Sequence, residues 1–213
     1  MKIMNRIILS TFLLIFLGAK TMSAQSNSFV ERAFDDFFTF AWDVNIPMGD
    51  KFVDKISYAG AKMEYRKMID QNFSLGFDLS WNSYYELVPS KTYHLNETTD
   101  ITTDLYRYNY TLPMAVTANY YLNSSSIVKP YVGLGMGALY STPKLYFNIY
   151  EIDEENWGFL VRPELGAIIK FDQAADIGIL LAARYSMSTN EETSFRIENL
   201  QALGFQLGFV WLY

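Results

Sequence analysis

The chain has 213 residues, half of them apolar and 17 % aromatic, with no cysteine and a formal charge of −6. That composition excludes a disordered chain or a coiled coil. The missing cysteines exclude disulfides and thiolate metal sites, and the acidic balance argues against nucleic acid as a partner.

The opening "MKIMNRIILSTFLLIFLGAKTMSAQS" reads as an export signal. Lys2 and Arg6 precede a mainly apolar run from Ile7 to Ala19, and Ala24 ends a small-residue cleavage site. The run falls short of the ~20 residues a spanning helix needs. The expected organisation is a cleaved signal peptide over 1–24, a short periplasmic segment over 25–36 and a barrel over 37–213. Removing Lys2, Arg6 and Lys20 with the signal shifts the formal charge from −6 to −9.

Beyond the signal, period-2 alternation recurs eight times. The first strand, about Phe38–Ile46, sets Phe38, Phe40, Trp42 and Val44 against Thr39, Ala41, Asp43 and Asn45. The second sets Ala61, Met63 and Tyr65 against Gly60, Lys62, Glu64 and Arg66. In "FSLGFDLSWNS", Phe73, Leu75, Phe77, Leu79 and Trp81 oppose Ser74, Gly76, Asp78, Ser80 and Asn82. The fourth places Tyr106, Tyr108, Tyr110, Leu112, Met114, Val116 and Tyr120 opposite Arg107, Asn109, Thr111, Thr117 and Asn119. The fifth, "KPYVGLGMGALYS", alternates Gly133, Gly135 and Gly137 with larger residues. The sixth opposes Phe159, Val161, Leu165, Ala167, Ile169 and Phe171 to Arg162, Glu164, Gly166 and Lys170. In the seventh, Ile177, Ile179, Leu181 and Tyr185 oppose Asp176, Gly178, Ala182 and Arg184. The last, "LGFQLGFVWLY", carries Leu203, Phe205, Leu207, Phe209, Trp211 and Tyr213 on one face and Gly204 and Gly208 on the other.

Links after the second, fourth and sixth strands are short; those at Pro47–Ser57, Tyr85–Thr103, Thr142–Asn156 and Ser188–Asn199 are longer. Such sorting predicts an all-β, eight-stranded antiparallel up-and-down transmembrane β-barrel. Pro113 and Pro163 fall inside strands, where each predicts a bulge.

The faces can be assigned. Glycine weakens a strand interior unless crowding requires it. Gly76, Gly133, Gly135, Gly137, Gly166, Gly178, Gly204 and Gly208 all lie on the polar face, which suits a narrow lumen. The same face carries Asp43, Lys62, Glu64, Arg66, Asp78, Arg107, Arg162, Glu164, Lys170, Asp176 and Arg184, a near-balanced set expected to pair inside it. The apolar face then meets lipid. Trp42, Trp81, Tyr106, Tyr108, Tyr120, Tyr140, Tyr185, Trp211 and Tyr213 crowd near its strand ends, where interfacial girdles form.

With these stretches in view, "FSLGFDLSW", "LPMAVTANYYL", "KPYVGLGMGALY" and the terminal "GFQLGFVWLY", the mature chain resembles the small outer-membrane barrels of Gram-negative bacteria. These are the OmpX/OmpW-like or porin-family group. The resemblance implies outer-membrane localisation, lipid and lipopolysaccharide as surroundings, and insertion by the barrel assembly machinery, with Phe209, Trp211 and Tyr213 as the assembly signal. It leaves the activity open.

The chemistry-bearing residues are few. His94, the sole histidine, lies in the expected loop Tyr85–Thr103 with Ser90 and Asp100, a poor frame for a nucleophile–base constellation. "GLGMG" lacks the ending and the helix of a nucleotide loop. The acidic loop residues Glu151, Asp153, Glu154, Glu155, Glu191 and Glu192 read as solvated, with divalent-cation binding among lipid phosphates as the sharper alternative. The expectation is a non-enzymatic barrel without cofactor or metal. Its charge-paired lumen is closed and its loops engage an extracellular ligand or protein. Passage of ions or small hydrophobic solutes is the competing reading, and lipid modification a third.

Overall fold

In the computed structural model, the described residues are 36–48, 52–96, 99–122, 127–147, 150–172, 175–192, 195 and 197–213. The expected signal peptide, and the segment 25–36 apart from Asp36, lie outside them. Eleven strands follow in order: β1 (Asp36–Pro47), β2 (Ala59–Asp70), β3 (Phe73–Asn96), β4 (Thr99–Tyr121), β5 (Val128–Phe147), β6 (Tyr150–Asp153), β7 (Asn156–Lys170), β8 (Ile177–Ser188), β9 (Glu191–Glu192), β10 (Ile197–Glu198) and β11 (Gln201–Leu212).

Eight of them, β1–β5, β7, β8 and β11, pair antiparallel with their neighbours, and β1 closes the ring on β11. Closure leaves no free edge among them. A line of paired residues from Phe38 runs through Tyr65, Phe77, Val116, Met136, Val161 and Met187 to Gln201. The Gln201 carbonyl accepts from the Met48 amide, so the line returns to β1 ten residues beyond its start. Ten residues of ~3.3 Å rise against eight strand spacings of ~4.8 Å give a tilt of about 40°. The resulting cylinder is just wide enough for side chains to fill.

Burial follows the alternation, inverted relative to a soluble barrel. Arg66, Arg184 and Lys62 are at most 1 % exposed, whereas Leu165 is 63 % and Leu207 51 % exposed. So extensive an apolar exterior requires an apolar surrounding. On β3 the outward band runs from Phe73 to Trp81, about 26 Å of strand and roughly 20 Å along the membrane normal at this tilt. Aromatic pairs mark both borders: Phe38 with Trp211 at 6.1 Å near the short-turn end, and Trp81 with Tyr110 at 6.3 Å and Tyr140 with Trp157 at 4.9 Å near the long-loop end.

Three sequence expectations need correction. Neither proline makes a bulge. β3–β4 pairing passes from Leu79↔Met114 to Asn82↔Thr111, and β7–β8 pairing from Val161↔Met187 to Glu164↔Arg184, each without change of register. Proline, which has no N–H, interrupts the ladder there without inserting a residue. The expected loop Tyr85–Thr103 is instead largely strand: β3 and β4 continue past the girdle, with His94 paired to Asp100. Most of Thr142–Asn156 is likewise strand, because β6 folds back onto the end of β5.

Candidate functional site

The lumen is stacked in layers along the barrel axis. At the short-turn end Phe37, Tyr121, Tyr131, Ile168, Leu180, Val210 and Leu212 form an apolar floor, with Met68 packed against it. These residues share parity with the charged positions, so alternation placed them inside; treating that face as uniformly polar missed them.

Above the floor, Lys62, Arg66, Arg162 and Arg184 meet Asp43, Glu64, Asp78 and Glu164, all buried. The Lys62 ammonium lies 2.8 Å from Glu64, 2.8 Å from Glu164 and 3.3 Å from Asp78. Arg66 bonds Glu64 at 2.7 Å and Glu164 at 2.9 Å, and its guanidinium sits 4.3 Å from the Tyr131 ring centroid. The Tyr131 hydroxyl donates to Glu164 at 2.6 Å, and Thr117 donates to Glu64 at 2.9 Å. Arg162 reaches Asp78 at 2.6 Å and Ser186 at 3.2 Å, while Arg184 pairs with Asp43 and donates to Ser80 at 3.2 Å. Four cations thus face four carboxylates. Burying unpaired ions would cost several kcal/mol each; mutual pairing, with the hydrogen bonds made to Tyr131, Thr117, Ser186 and Ser80, offsets that penalty.

The other three charges named from sequence stand elsewhere. Asp176 is exposed at the short-turn end rather than inside. Lys170 is on the inner face but at that same end, where its electrostatic neighbours are Asp176 and Asp172. Arg107 lies toward the opposite mouth; it donates to the Phe52 carbonyl at 3.2 Å and sits over the Phe52 ring at 5.5 Å. Parity gives the face of a residue but not its height, which depends on where the strand begins and how it tilts.

The named glycines are on the inner face, and several are sterically required. A Cβ on Gly137 would strike the Met114 carbonyl oxygen, and one on Gly208 the Phe40 carbonyl oxygen. Gly135 is different: its nearest neighbours would lie at 3.4–3.5 Å. Phe209 and Tyr213 point outward and are exposed, and Trp211 lies on the same outer face beside Phe38.

A polar layer of Asn45, Asn82, Asn109 and Ser141 follows, with the Asn45 and Asn82 amides in contact at 2.8 Å. A cavity of about 30 Å³ beside it is lined by Asn82, Thr111, Pro113, Leu139, Arg162 and Ser186, among others, room for about one water. Over the cavity, the connections after β1 and β8 fold into the mouth as an apolar roof. Phe52, Val53, Phe195, Ile197 and Leu200 are buried, and the Phe52 and Phe195 rings meet edge-on at 5.0 Å. From sequence both connections are simply long loops, with Glu191 and Glu192 of the second read as solvated; "FV" and "FRI" within them are the signal for burial.

Outside the barrel, the sheet of β3, β4, β5 and β6 continues beyond the girdle. Its outer face carries Tyr85, Tyr106, Tyr108, Tyr110 and Tyr146. Lys144 pairs with Glu151 at 2.8 Å, and Tyr146 donates to the same carboxylate at 2.8 Å. These two hydrogen bonds, the Lys144 one foremost, hold the Glu151 carboxyl below the usual carboxylate range. Among the described residues no group of three or more His, Asp or Glu converges on a metal position.

A sequence profile of the OmpW family matches residues 47–150. No curated protein sequence matches the chain. The Neisserial surface protein A (NspA) structure is similar with a TM-score of 0.54 at 13 % identity, over 84 % of this chain and 97 % of that one. OprG from Pseudomonas aeruginosa gives 0.48 at 13 % identity, over 84 % and 96 %. Ail, the attachment invasion locus protein of Yersinia pestis, gives 0.45 at 15 % identity, over 84 % and 97 %. The chain is a small eight-stranded β-barrel of the outer-membrane kind and resembles the OmpW group.

Proposed function

We propose that this OmpW-like outer-membrane barrel is a sealed scaffold, exported through a cleaved signal peptide, that acts through the sheet and loops it holds outside the membrane. The termini and short turns then face the periplasm and the long-loop end faces outward. The observation that carries the reading is the balanced ion layer, held between an apolar floor and an apolar roof. Conduction would require water to replace three kinds of packing at once. In planar bilayers the refolded chain gives no discrete conductance steps; reproducible steps would refute the sealed lumen.

A second reading has its own support. The ladder interruptions at Pro113 and Pro163 lie beside the small cavity, whose lining includes Pro113 and Arg162. Two weakened seams next to an internal space suit sideways passage of a small hydrophobic solute into the bilayer. Uptake of a fluorescent alkyl probe by protein-bearing vesicles, faster than by empty ones, would favour it over the sealed scaffold.

A further inference from the structure

We infer that the tyrosine face of the projecting β3–β4–β5 sheet binds the sugar headgroups of the lipid in which the barrel sits. The rings form one connected path from the lipid-facing girdle outward. Trp81 contacts Tyr110 at 6.3 Å, Tyr110 stacks on Tyr108 at 6.0 Å with planes 3° apart, and Tyr108 meets Tyr85 at 5.0 Å and Tyr146 at 5.8 Å. Tyr85 in turn stacks on Tyr106 at 6.5 Å, and these two are 42 % and 40 % exposed. Tyr85 stands four residues above Trp81 on β3, about 10 Å higher along the normal at a 40° tilt. That height is the headgroup layer, directly over the apolar band.

The chemistry of the patch selects sugar over phosphate. Tyrosine combines an apolar ring, whose negative face attracts the C–H face of a pyranose, with a hydroxyl that can bond sugar hydroxyls. Among the described side chains Lys144 is the cation on this face, and it is already engaged by Glu151 at 2.8 Å with Asp153 at 3.8 Å. Two carboxylates against one ammonium repel an anionic headgroup but accept hydrogen bonds from neutral hydroxyls. The occupant is therefore the core sugars of an outer-leaflet glycolipid, beyond its phosphorylated disaccharide.

This inference rests on the outer-membrane reading, and the test separates the two. The full chain, refolded in dodecylphosphocholine, is titrated with rough lipopolysaccharide, lipid A or phosphatidylglycerol, and bound lipid is counted by native mass spectrometry. Rough lipopolysaccharide binds at least ten-fold more tightly than lipid A, and Tyr106→Ser with Tyr108→Ser abolishes that preference while heat-modifiable mobility is retained. Equal binding of the two glycolipids, or a preference unchanged in the variant, overturns the inference. So does a concentration-dependent dimer lost in the variant, since the face would then be covered by a second copy. Failure of the wild-type chain to become protease-protected in lipopolysaccharide-containing vesicles would instead refute the membrane reading.

Discussion

Replacing Glu164 by Gln tests the balanced lumen directly. The carboxylate lies 2.8 Å from the Lys62 ammonium and 2.9 Å from Arg66, accepts the Tyr131 hydroxyl at 2.6 Å, and its side chain is 8 % exposed. The amide keeps the volume and leaves four cations facing three carboxylates. A unit charge ~4 Å from an opposite one is worth about 4 kcal/mol at an effective dielectric near 20. Removing one partner of a buried pair characteristically costs about 3–5 kcal/mol, and we expect that loss here. Adding Lys62→Met restores neutrality, with three cations against three anions, so the double variant loses less than the two singles summed, by about 1–3 kcal/mol. The assay is equilibrium urea unfolding of the full chain in phospholipid vesicles, followed by tryptophan fluorescence. Strictly additive losses would refute the claim that charge balance holds the layer together.

The glycines offer a paired comparison: Gly137→Ala, which meets backbone, should destabilise by about 1–3 kcal/mol, while Gly135→Ala, with only ordinary contacts, stays within about 1 kcal/mol. Equal effects in the same unfolding assay would mean crowding is not what selects glycine. Phe77→Arg, at the middle of the outward band on β3, should lose about 2–4 kcal/mol of stability in vesicles; no loss would place that face away from lipid. In the projecting sheet, the lowered Glu151 carboxyl makes its bonds to Lys144 and Tyr146 persist as pH falls past the ordinary value of 4.5, and they are lost only through the lower folded value. The Tyr146 ring resonances should therefore hold steady to below pH 4.5 in wild type and shift earlier in Lys144→Met; a wild-type midpoint at 4.5 would contradict the contact.

Much of this barrel was legible along the chain because a strand's two faces are written every second residue. "FSLGFDLSW" assigned Phe77 to lipid and Asp78 to the lumen without reference to any other strand, and the glycine parity decided which face was inside. Local signals also misled: Pro113 and Pro163 suggested bulges, whereas the surrounding ladder absorbs a missing donor without changing register. Tyr85–Thr103 looked like loop because nothing local reveals how far a distant partner strand will accompany it.

Height within the lumen had no local signature. Lys62 meets Glu164 across 102 residues, and Arg184 meets Asp43 across 141. Those pairs exist because closure with a ten-residue stagger brings separate strands to one level. The same stagger sends Asp176 to the rim and Arg107 to the mouth, although both share the parity of the pairing residues. Alternation determined inside and outside; ring closure, a property of all eight strands together, decided which charges neutralise one another.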